Sequence, residues 1–597
     1  AFLACRRGRA ARAGVARGAV AVSTDRLSVA SVLEQIAAFL EFRGENQFRV
    51  RAFRNAAKAM LGLPASAAAA LADGSLPEVR GIGPASLAIV KELVETGRSA
   101  YLEQLKQESP AGLLDLLDIP GLGAARVRML HEKLGIDSLA ALEAAARDGR
   151  LATLPGLGAK TAEKILKGIA FARGTRSFRL WHHAAAEAEV LRSSLERLTG
   201  VTRVLVAGEV RRRCEVVSEL ALAAAAECAP AELHQALARL PGIVAGVAAD
   251  GLLSFRSPPP LGMAASVRVA PPAGFGAALA RATGSDSHWE QLVAHAMARG
   301  LMLESSALHR AKEALSVPDE AALYQALGLA DMPPELREGG DEVALAAEGK
   351  LPRLIEPADL LGFLHCHTTY SDGSLGVEEM ATAVRDAGYS YLGITDHSKS
   401  AGYAGGLSVE DLRRQWKEID GLNARLSGIR ILKGIESDIL LDGGLDYDVA
   451  ILADFDFVIG SIHSRFSLGE IEMTARVLRA LDHPYLTILG HPTGRLLLSR
   501  NPYALDLPQV FARAAANGVA LEINGDPHRL DLDWRMARRA REQGVTIALG
   551  ADAHGRSGIG NLEFATAMAR KAGLTKPEVL NTRSVAEFLK FARARRP

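Results

Sequence analysis

From about Leu361 onward, short apolar runs alternate with polar loops and with stretches of helical periodicity. Continuous apolar runs, unlike alternating ones, are typical of strands buried on both faces, as in parallel sheets covered by helices. Seven such strands separated by helices predict a closed β/α barrel, in which catalytic groups lie at the carboxyl ends of the strands. The seven runs, each followed at once or within a few residues by a His, an Asp or a Glu, are 361–364, 391–395, 431–435, 457–462, 486–490, 519–521 and 545–550.

The residues at the ends of these runs are of the types that bind metal ions. His365 and His367 stand two apart, as do Asp552 and His554, and this spacing puts both side chains of a pair on one face of a strand. Imidazole and carboxylate together suit zinc, manganese or iron. A single histidine at a strand end is more often a hydrogen-bonded structural residue, but that explanation does not extend to a set of nine. The nine candidates are His365, His367, Asp372, His397, Glu436, His463, His491, Asp552 and His554.

Nine side chains exceed the four ligands of one tetrahedral ion. The set therefore predicts two or three divalent ions, with a carboxylate such as Glu436 bridging two of them. Cys366 lies between the first two histidines, and on a regular strand its side chain points away from theirs. We expect it to pack in the barrel rather than to bind metal.

The order of these residues resembles the polymerase-and-histidinol-phosphatase (PHP) domain, from about Leu360 to the C-terminus. This resemblance implies metal-assisted phosphoester hydrolysis at a trinuclear site, with Asp372, His397 and Asp552 as the catalytic group. It also implies how the ligands divide: His365, His367, Glu436 and Asp552 on one ion; Asp372, His397 and His554 on a second; Glu436, His463 and His491 on a third.

Four basic residues follow candidate ligands by a few positions: Lys399, Arg465, Arg495 and Arg556. Each is a candidate phosphate-binding residue, because cations beside a metal site can hold a substrate phosphate. For each, a solvated charge on a loop is an equally good interpretation.

Composition excludes few classes of protein. A chain of 597 residues predicts about three to five domains. The net charge of +1 excludes no class of partner, since opposite balances in different domains cancel. The four cysteines form no CxxC motif, which favours a reducing, cytoplasmic location over a disulfide scaffold. No apolar run reaches the ~18 residues of a membrane span.

The first 25 residues are rich in Arg and Ala, and we expect a disordered basic extension there, although a transit peptide has a similar composition. Apolar residues then recur at helical spacing from Ser28 to Leu63. Within this stretch, residues 46–54 predict a basic helix face, which is either a solvated surface or a contact with phosphate.

Three Gly-x-Gly motifs follow, each leading into a helical pattern. One such motif is explained by a plain turn between helices, but three at similar spacing with basic residues downstream are a stronger signal. Glycine lets a turn approach a phosphate closely, and the helix behind it offers free N–H groups. The motifs resemble helix-hairpin-helix motifs, which bind the DNA backbone without reading sequence. The resemblance implies DNA-binding roles for Gly81, Gly83, Gly121, Gly123, Gly156, Gly158 and Lys160.

Residues 204–222 and 282–289 resemble the palm and the nucleotide-side loop of family X DNA polymerases, and residues 304–337 resemble the thumb. Helix-hairpin-helix motifs, palm, thumb and PHP barrel in this order resemble the bacterial family X polymerases over nearly the whole chain. The implied fold is multidomain: an all-α helix-hairpin-helix region, an α+β nucleotidyltransferase-like palm and thumb, and a C-terminal α/β distorted (β/α)7 barrel.

The polymerase carboxylates depart from that family's pattern. Where the family has three aspartates, this chain has Glu219, Ala221 and Ser266, and the serine of the family's Gly-Ser pair reads Glu209. Two-metal nucleotidyl transfer needs carboxylates that hold two cations against the triphosphate. The sequence therefore predicts a degenerate polymerase site.

Together these patterns predict a DNA repair enzyme whose barrel hydrolyses phosphoesters with two or three manganese, zinc or iron ions. The family implies a 3′–5′ exonuclease, with 3′-phosphatase or abasic-site cleavage as further activities. We expect a monomer that acts on gapped DNA or a free 3′ end. The alternatives are a histidinol-phosphate-like phosphatase, a non-enzymatic DNA-binding scaffold and a residual DNA polymerase. The predicted domains are 1–25 (extension), 26–101 (helix-hairpin-helix), 102–180 (tandem helix-hairpin-helix), 181–280 (palm), 281–350 (thumb and linker) and 351–597 (PHP).

Overall fold

A computed structural model describes residues 26–61, 67–79, 81–110, 112–117, 119, 122–257 and 262–597. The predicted extension at 1–25 and Gly121 lie outside these residues. The chain divides into two compact units, 1–173 and 174–597. The predicted domain bounds stay predictions.

The first unit is helical, as the sequence predicts. The apolar residues of its first helix have the expected period, and Val29, Leu33, Ile36 and Leu40 are fully buried. They pack mainly against the second helix. The helices are α1 (Arg26–Phe42), α2 (Gln47–Leu61), α3 (Ala67–Ala72), α4 (Pro84–Thr96), α5 (Ala100–Gln107), α6 (Leu113–Leu117), α7 (Ala124–Leu134), α8 (Leu139–Arg147) and α9 (Ala159–Thr175).

The second unit begins with a five-stranded sheet in the order β2-β4-β7-β6-β5, in which only β4 and β7 run parallel. The alanine run of β4 is buried on both faces, and Ala223 and Ala225 pack against Phe275 and Leu279. The elements are β1 (Arg179–Leu180), α10 (Trp181–Leu195), β2 (Val201–Val206), α11 (Gly208–Arg211), β3 (Val216–Val217), β4 (Glu219–Ala226), α12 (Pro230–Ala238), β5 (Val244–Ala249), β6 (Leu252–Arg256) and β7 (Ala264–Ala270).

A smaller layer follows, built from a three-stranded antiparallel sheet and four helices. Leu292, Leu303, Leu323 and Tyr324 form part of its own core. The elements are α13 (Phe275–Thr283), α14 (Asp286–Ala298), β8 (Leu301–Glu304), β9 (Ala307–Arg310), β10 (Glu313–Leu315), α15 (Glu320–Leu327) and α16 (Glu342–Ala347).

The C-terminal region is a parallel barrel, in the order β13-β12-β11-β18-β17-β16-β15-β14. The predicted strand 431–435 is interrupted at Gly434 and Ile435. The strand before this break, β13, pairs with β12, and the strand after it, β14, pairs with β15. Because β13 and β14 follow each other directly in the chain, they occupy one of seven strand positions in the barrel, which their connection closes. They are β11 (Gly362–Cys366), β12 (Tyr391–Ile394), β13 (Arg430–Lys433), β14 (Glu436–Asp438), β15 (Ile459–Ser461), β16 (Ile488–Leu489), β17 (Ala520–Asn524) and β18 (Ile547–Ala553).

Helices cover the barrel, and Phe588 of the last one packs with Leu364, Tyr391 and Phe457 in an apolar layer inside it. No helix within the described residues is long and apolar enough to span a bilayer. The helices are α17 (Val377–Asp386), α18 (Val409–Arg425), α19 (Val449–Leu452), α20 (Glu470–Asp482), α21 (Leu507–Asn517), α22 (Trp534–Glu542), α23 (Asn561–Lys571) and α24 (Val585–Arg593).

Candidate metal centre

The nine predicted ligands lie at strand ends of the barrel or in the loops that follow. Glu436 is the first residue of β14, three positions after β13 ends, and Asp372 lies six residues beyond β11. His365, Glu436 and Asp552 lie within β11, β14 and β18, whereas His463 and His491 follow β15 and β16 by two residues. Parallel strands bring these ends to one rim, which is why positions distant in sequence meet there.

The carboxylate of Glu436 lies at the centre of the cluster. Its Oε1 is 2.9 Å from Nε2 of His491 and 3.3 Å from Nε2 of His463. Its Oε2 is 2.9 Å from Nδ1 of His397 and 3.7 Å from Nε2 of His367. A carboxylate surrounded in this way can bridge two ions.

The donor atoms fall into overlapping groups small enough to hold an ion, each with its atoms within 4.8 Å of one another. Two groups share Glu436, and two share His367. The grouping differs in part from the division that the family implies, because His397 joins both Glu436 and Asp372. The groups are His367, Asp372, His397 and His554; His365, Glu436 and His491; His365, His367 and Asp552; and His397, Glu436 and His463.

Several ring nitrogens in the cluster are buried without a hydrogen-bond partner. They include both nitrogens of His367 and Nε2 of His365. Buried polar atoms in proteins normally have a hydrogen-bond partner or a bound ion, so a bound ion would satisfy these nitrogens. Divalent ions that accept imidazole and carboxylate ligands fit this donor set.

The charge states of Glu436 and His367 also suit the binding of divalent ions. Burial opposes ionisation of Glu436, but His463, His365 and His397 outweigh it and hold the pKa of this carboxyl well below its usual value. Burial lowers the pKa of His367 to about 4, so its imidazole is neutral at physiological pH. Ionised carboxylate and neutral imidazole are the forms that bind metal.

Two other histidines of the cluster have raised pKa values, in contrast to His367. Burial lowers the pKa of His463, but Glu436 and Asp438 outweigh it and raise the value to about 9. In His554, Asp372 and Asp552 similarly overcome burial and give a pKa of about 9. Binding an ion through either histidine must therefore release a proton.

Two acids and an amide that are absent from the predicted site orient the ligands. Nδ1 of His365 is 2.5 Å from Oε1 of Glu522, and Nδ1 of His463 is 2.6 Å from Oδ1 of Asp438. Nδ2 of Asn524 donates to Oδ2 of Asp552 at 3.0 Å. Such contacts fix which ring nitrogen faces an ion. The sequence carried a signal for Glu522, since it ends an apolar run like the predicted ligands.

The absence of a side chain at Gly550, on the neighbouring strand β18, leaves room for Glu522. A Cβ at Gly550 would lie 1.7 Å from Oε1 of Glu522, so only glycine fits there. The backbone at the cluster is also strained: His365, His491 and Asp552 have φ values of 60°, 24° and 50°. Such conformations are uncommon for residues with side chains and concentrate at functional sites.

Asp396, which precedes His397, has a structural role. Its carboxylate accepts hydrogen bonds from Thr368, Ser371 and Gln415, and so fixes the loop that carries Asp372. Cys366 is fully buried and contacts the carbonyl of Gly393, as expected for a packing residue.

The structure argues against a phosphate-binding role for Arg495. Its side chain is buried, Nε donates to the carbonyl of Arg529, Nη1 to Asp533, and Nη2 to the carbonyl of Leu530. Nη2 also lies 3.5 Å from Glu215 of the five-stranded-sheet region. The guanidinium is therefore taken up by structural contacts.

The other three predicted phosphate contacts are exposed: Lys399 and Arg465 in loops, and Arg556 at the start of a 3-10 turn. Lys399 lies over the ring of Tyr447, with Nζ 5.5 Å from its centroid. Arg529, five residues beyond β17, was not predicted. Its Nε is buried without a hydrogen-bond partner and lies 3.8 Å from Oδ2 of Asp552.

In the five-stranded sheet, the predicted polymerase positions come together. Ala221 on β4 lies directly opposite Ser266 on the parallel strand β7, and Glu219 begins β4 with an exposed side chain. Oε2 of Glu209 accepts hydrogen bonds from the backbone N–H and the hydroxyl of Ser218. Two of the three predicted aspartate positions thus lie side by side without a carboxylate.

The arginine pair beside this sheet is engaged in ion pairs. Arg211 binds Glu320 through two hydrogen bonds of 2.9 and 2.7 Å, and Arg212 donates to Glu338 at 2.9 Å. Both guanidinium groups are therefore held within the protein.

In the first unit, the three Gly-x-Gly turns share one geometry. The middle residue donates its N–H to the carbonyl three positions earlier: Ile82 to Val79, Leu122 to Ile119 and Leu157 to Leu154. Leu122 and Leu157 are buried, whereas the flanking glycines that the structure describes are exposed. Gly83 and Gly123 cap α4 and α7, Gly158 precedes α9, and Lys160 is exposed in its first turn.

Comparison with known families agrees with this layout. The family described as helix-hairpin-helix domain matches residues 25–99, and the SAM-like helix-hairpin-helix tandem matches 113–170. The DNA polymerase beta thumb matches 278–338, and the PHP domain matches 364–525. Asp552 and His554 lie beyond the last match but belong to the same cluster in space.

The chain is 36% identical over 573 residues to the DNA polymerase/3′-5′ exonuclease PolX of Bacillus subtilis, covering 94% of this chain and 98% of that protein. It is 31% identical over 228 residues to a probable phosphatase of Thermoanaerobacter sp., covering 34% of this chain and 90% of that protein. A probable phosphatase of Acetivibrio thermocellus is 29% identical over 242 residues, covering 39% of this chain and 95% of that protein. The near-complete match to the first of these, with the helix-hairpin-helix, thumb and PHP matches in the same chain, shows that this chain belongs to the PolX family of bacterial family X DNA polymerases.

Proposed function

We propose that this protein degrades DNA from the 3′ end by metal-dependent phosphoester hydrolysis in the barrel. The observation that carries the proposal is the convergence of nine His, Asp and Glu side chains in overlapping groups around Glu436. The B. subtilis relative named as a polymerase and 3′-5′ exonuclease supports the choice of substrate.

The proposed cofactors are two or three divalent ions, of manganese, zinc or iron. Bound ions would supply an activated water and would neutralise charge on the phosphate. His365, His367, Glu436 and Asp552 form the deeper part of the cluster, while Asp372 and His554 are the most exposed ligands. Substrate would thus enter on the side of Asp372 and His554.

The chain's own residues would prepare the site in two ways. Glu522, Asp438 and Asn524 hold the ligands in orientation before substrate arrives. Arg529 would bind a phosphate oxygen, because its buried Nε has no hydrogen-bond partner and lies 3.8 Å from Oδ2 of Asp552 in the cluster. Lys399, Arg465 and Arg556 stay candidate contacts farther along the DNA.

DNA is the proposed partner of the first unit. The exposed glycine turns present helix N-termini to solvent, which suits backbone phosphates of any sequence. On α2, Arg49 pairs with Glu45, and Arg54 with Glu41, so Arg51 is the most available of these three arginines. We propose gapped DNA or a free 3′ end as the substrate and a monomer as the active form.

We further propose that the polymerase site is inactive. Ala221 and Ser266 provide no anionic ligand where the strands meet, and Arg211 and Arg212 are held by Glu320 and Glu338. In addition, the carboxylate of Glu209 places negative charge where the family uses a serine, which disfavours a triphosphate.

A second candidate is a small-molecule phosphatase, because the phosphatase relatives match the barrel alone. A substrate panel separates the candidates: purified protein with added manganese or zinc is given 3′-labelled gapped DNA, 3′-phosphate DNA, abasic-site DNA and histidinol phosphate. The proposal expects DNA to be degraded from the 3′ end. The 3′-phosphate and abasic-site substrates show whether the protein also removes a 3′-phosphate or cleaves DNA at an abasic site. Turnover of histidinol phosphate alone would favour the phosphatase.

A further inference from the structure

An exposed aromatic residue stands beside the metal-ligand cluster without a packing role. The ring of Tyr403 is 72% exposed, and its centroid lies 6.2 Å from that of His397 and 6.3 Å from that of His463. Most of the tyrosines that the structure describes are buried or half-buried. An aromatic ring exposed beside a reaction site can contact a substrate through its apolar face.

The loop that carries Tyr403 is held firmly. It forms a short 3-10 turn at Gly402–Ala404, between β12 and α18. Ala401, Ala404 and Leu407 on either side are buried, so the loop is anchored while the ring points outward. The N–H of Leu407 donates to the carbonyl of His397 at 2.9 Å, which ties the loop directly to a candidate ligand.

The position of the ring suits a base rather than a phosphate. The ring offers an apolar face, and the acids and histidines of the cluster already provide the groups that would hold a phosphate. In DNA, the base of the terminal nucleotide projects away from the scissile phosphate, so an aromatic ring beside the cluster can stack on it. Stacking tolerates all four bases, as an exonuclease requires.

We propose that Tyr403 is a base-stacking residue that holds the 3′-terminal nucleotide while its phosphodiester is hydrolysed at the cluster. This inference rests on the proposed exonuclease function and adds the means by which the barrel selects a nucleotide over a simple phosphate ester. The ring, and not the hydroxyl, makes the contact.

The test combines a change in the protein with a change in the substrate. Tyr403→Ala, Tyr403→Phe and wild type are compared on 3′-labelled DNA that ends in an ordinary nucleotide or in an abasic tetrahydrofuran residue. Removing a base-stacking ring costs roughly 5- to 150-fold. We expect Tyr403→Ala to lose about this factor in kcat/KM on the ordinary end, to lose little on the abasic end, and Tyr403→Phe to resemble wild type on both.

Ile471→Ala is the matched control, because Ile471 is 86% exposed on α20 of the same barrel. Bound metal is measured in every variant. An equal loss on both DNA ends, a loss of metal, or a Tyr403→Phe variant as impaired as Tyr403→Ala would overturn the stacking role. An unchanged Tyr403→Ala variant would also overturn it while leaving the exonuclease proposal intact, whereas wild type that leaves both DNAs intact would overturn both proposals.

Discussion

Nδ1 of His365 lies 2.5 Å from Oε1 of Glu522, and both side chains are buried. Oε2 of the same carboxylate accepts the backbone N–H of His491 at 2.6 Å. One acid therefore orients an imidazole on β11 and fixes the backbone of a second candidate ligand after β16.

Glu522→Gln should weaken metal binding without removing a proposed ligand. The amide can present its NH2 group to His365 and so disturb the tautomer that leaves Nε2 free for an ion. Loss of such a supporting contact typically costs about 10–100-fold in metal affinity or activity. Metal titration by calorimetry, alongside nuclease activity at saturating metal, measures both effects. Unchanged affinity and activity would show that Glu522 does not prepare the site.

Arg529→Ala should lower kcat/KM on DNA while metal content stays as in wild type. A hydrogen bond to a charged group contributes about 1.5–3 kcal/mol, so the expected loss is roughly 10- to 100-fold. Arg529→Lys should recover part of this, since it restores charge but not the guanidinium geometry. Steady-state kinetics on a 3′-labelled oligonucleotide gives the measurement.

Arg495→Ala is the contrasting variant. It removes a buried cation and leaves Asp533 and Glu215 without it, and breaking a buried ion pair typically costs about 3–5 kcal/mol. We expect a lower thermal midpoint in place of a specific loss of substrate affinity. If Arg495→Ala keeps its stability and Arg529→Ala keeps its activity, the roles assigned to the two arginines are wrong.

The glycine turns are tested at positions where a side chain fits the protein. An added Cβ at Gly123 or Gly158 meets no atom within 4 Å, so substitution there should spare the fold. The double variant Gly123→Val/Gly158→Val should weaken DNA binding similarly for all sequences, because it blocks approach of the backbone.

Gly174→Val is a control near the C-terminal end of α9, since its added Cβ also meets nothing there. Fluorescence anisotropy across a salt series provides the reading. Affinity should fall steeply with salt, because phosphate contacts release counterions. Salt-independent binding, or equal losses in control and double variant, would argue against the proposed DNA contact.

The sequence identifies which His, Asp and Glu side chains meet in space, but not where the basic residues beside them point, and the reason is physical. A parallel strand is an apolar run with a fixed end, so its terminal His, Asp or Glu can be identified from the run itself. The direction of an arginine on a following loop depends on distant contacts: Arg495 turns toward Glu215, 280 positions away. Arg529 was not predicted for the same reason, since its direction also depends on contacts with distant residues. The break in the strand at Gly434 was not predicted either, because the apolar run continues through it.

The polymerase proposal predicts no templated extension by a nuclease-dead His365→Ala variant on gapped DNA with magnesium or manganese. Without carboxylates at 221 and 266, two-metal transfer loses its ligands. Two other acids are poor substitutes, because Glu215 is buried beside Arg495 and Arg535, and Asp286 pairs with Arg281 at the surface. Extension at ordinary polymerase rates, ~1 per second or more, would refute the proposal.

The central claim is that the barrel cluster degrades DNA from the 3′ end. Its most direct test is the rate at which metal-loaded wild type, His365→Ala and Asp552→Ala shorten 5′-labelled gapped DNA, with binding to the same DNA measured in parallel. We predict progressive shortening from the 3′ end by wild type, none by either variant, and unchanged DNA binding in all three. Equal shortening by wild type and by both variants would contradict the account.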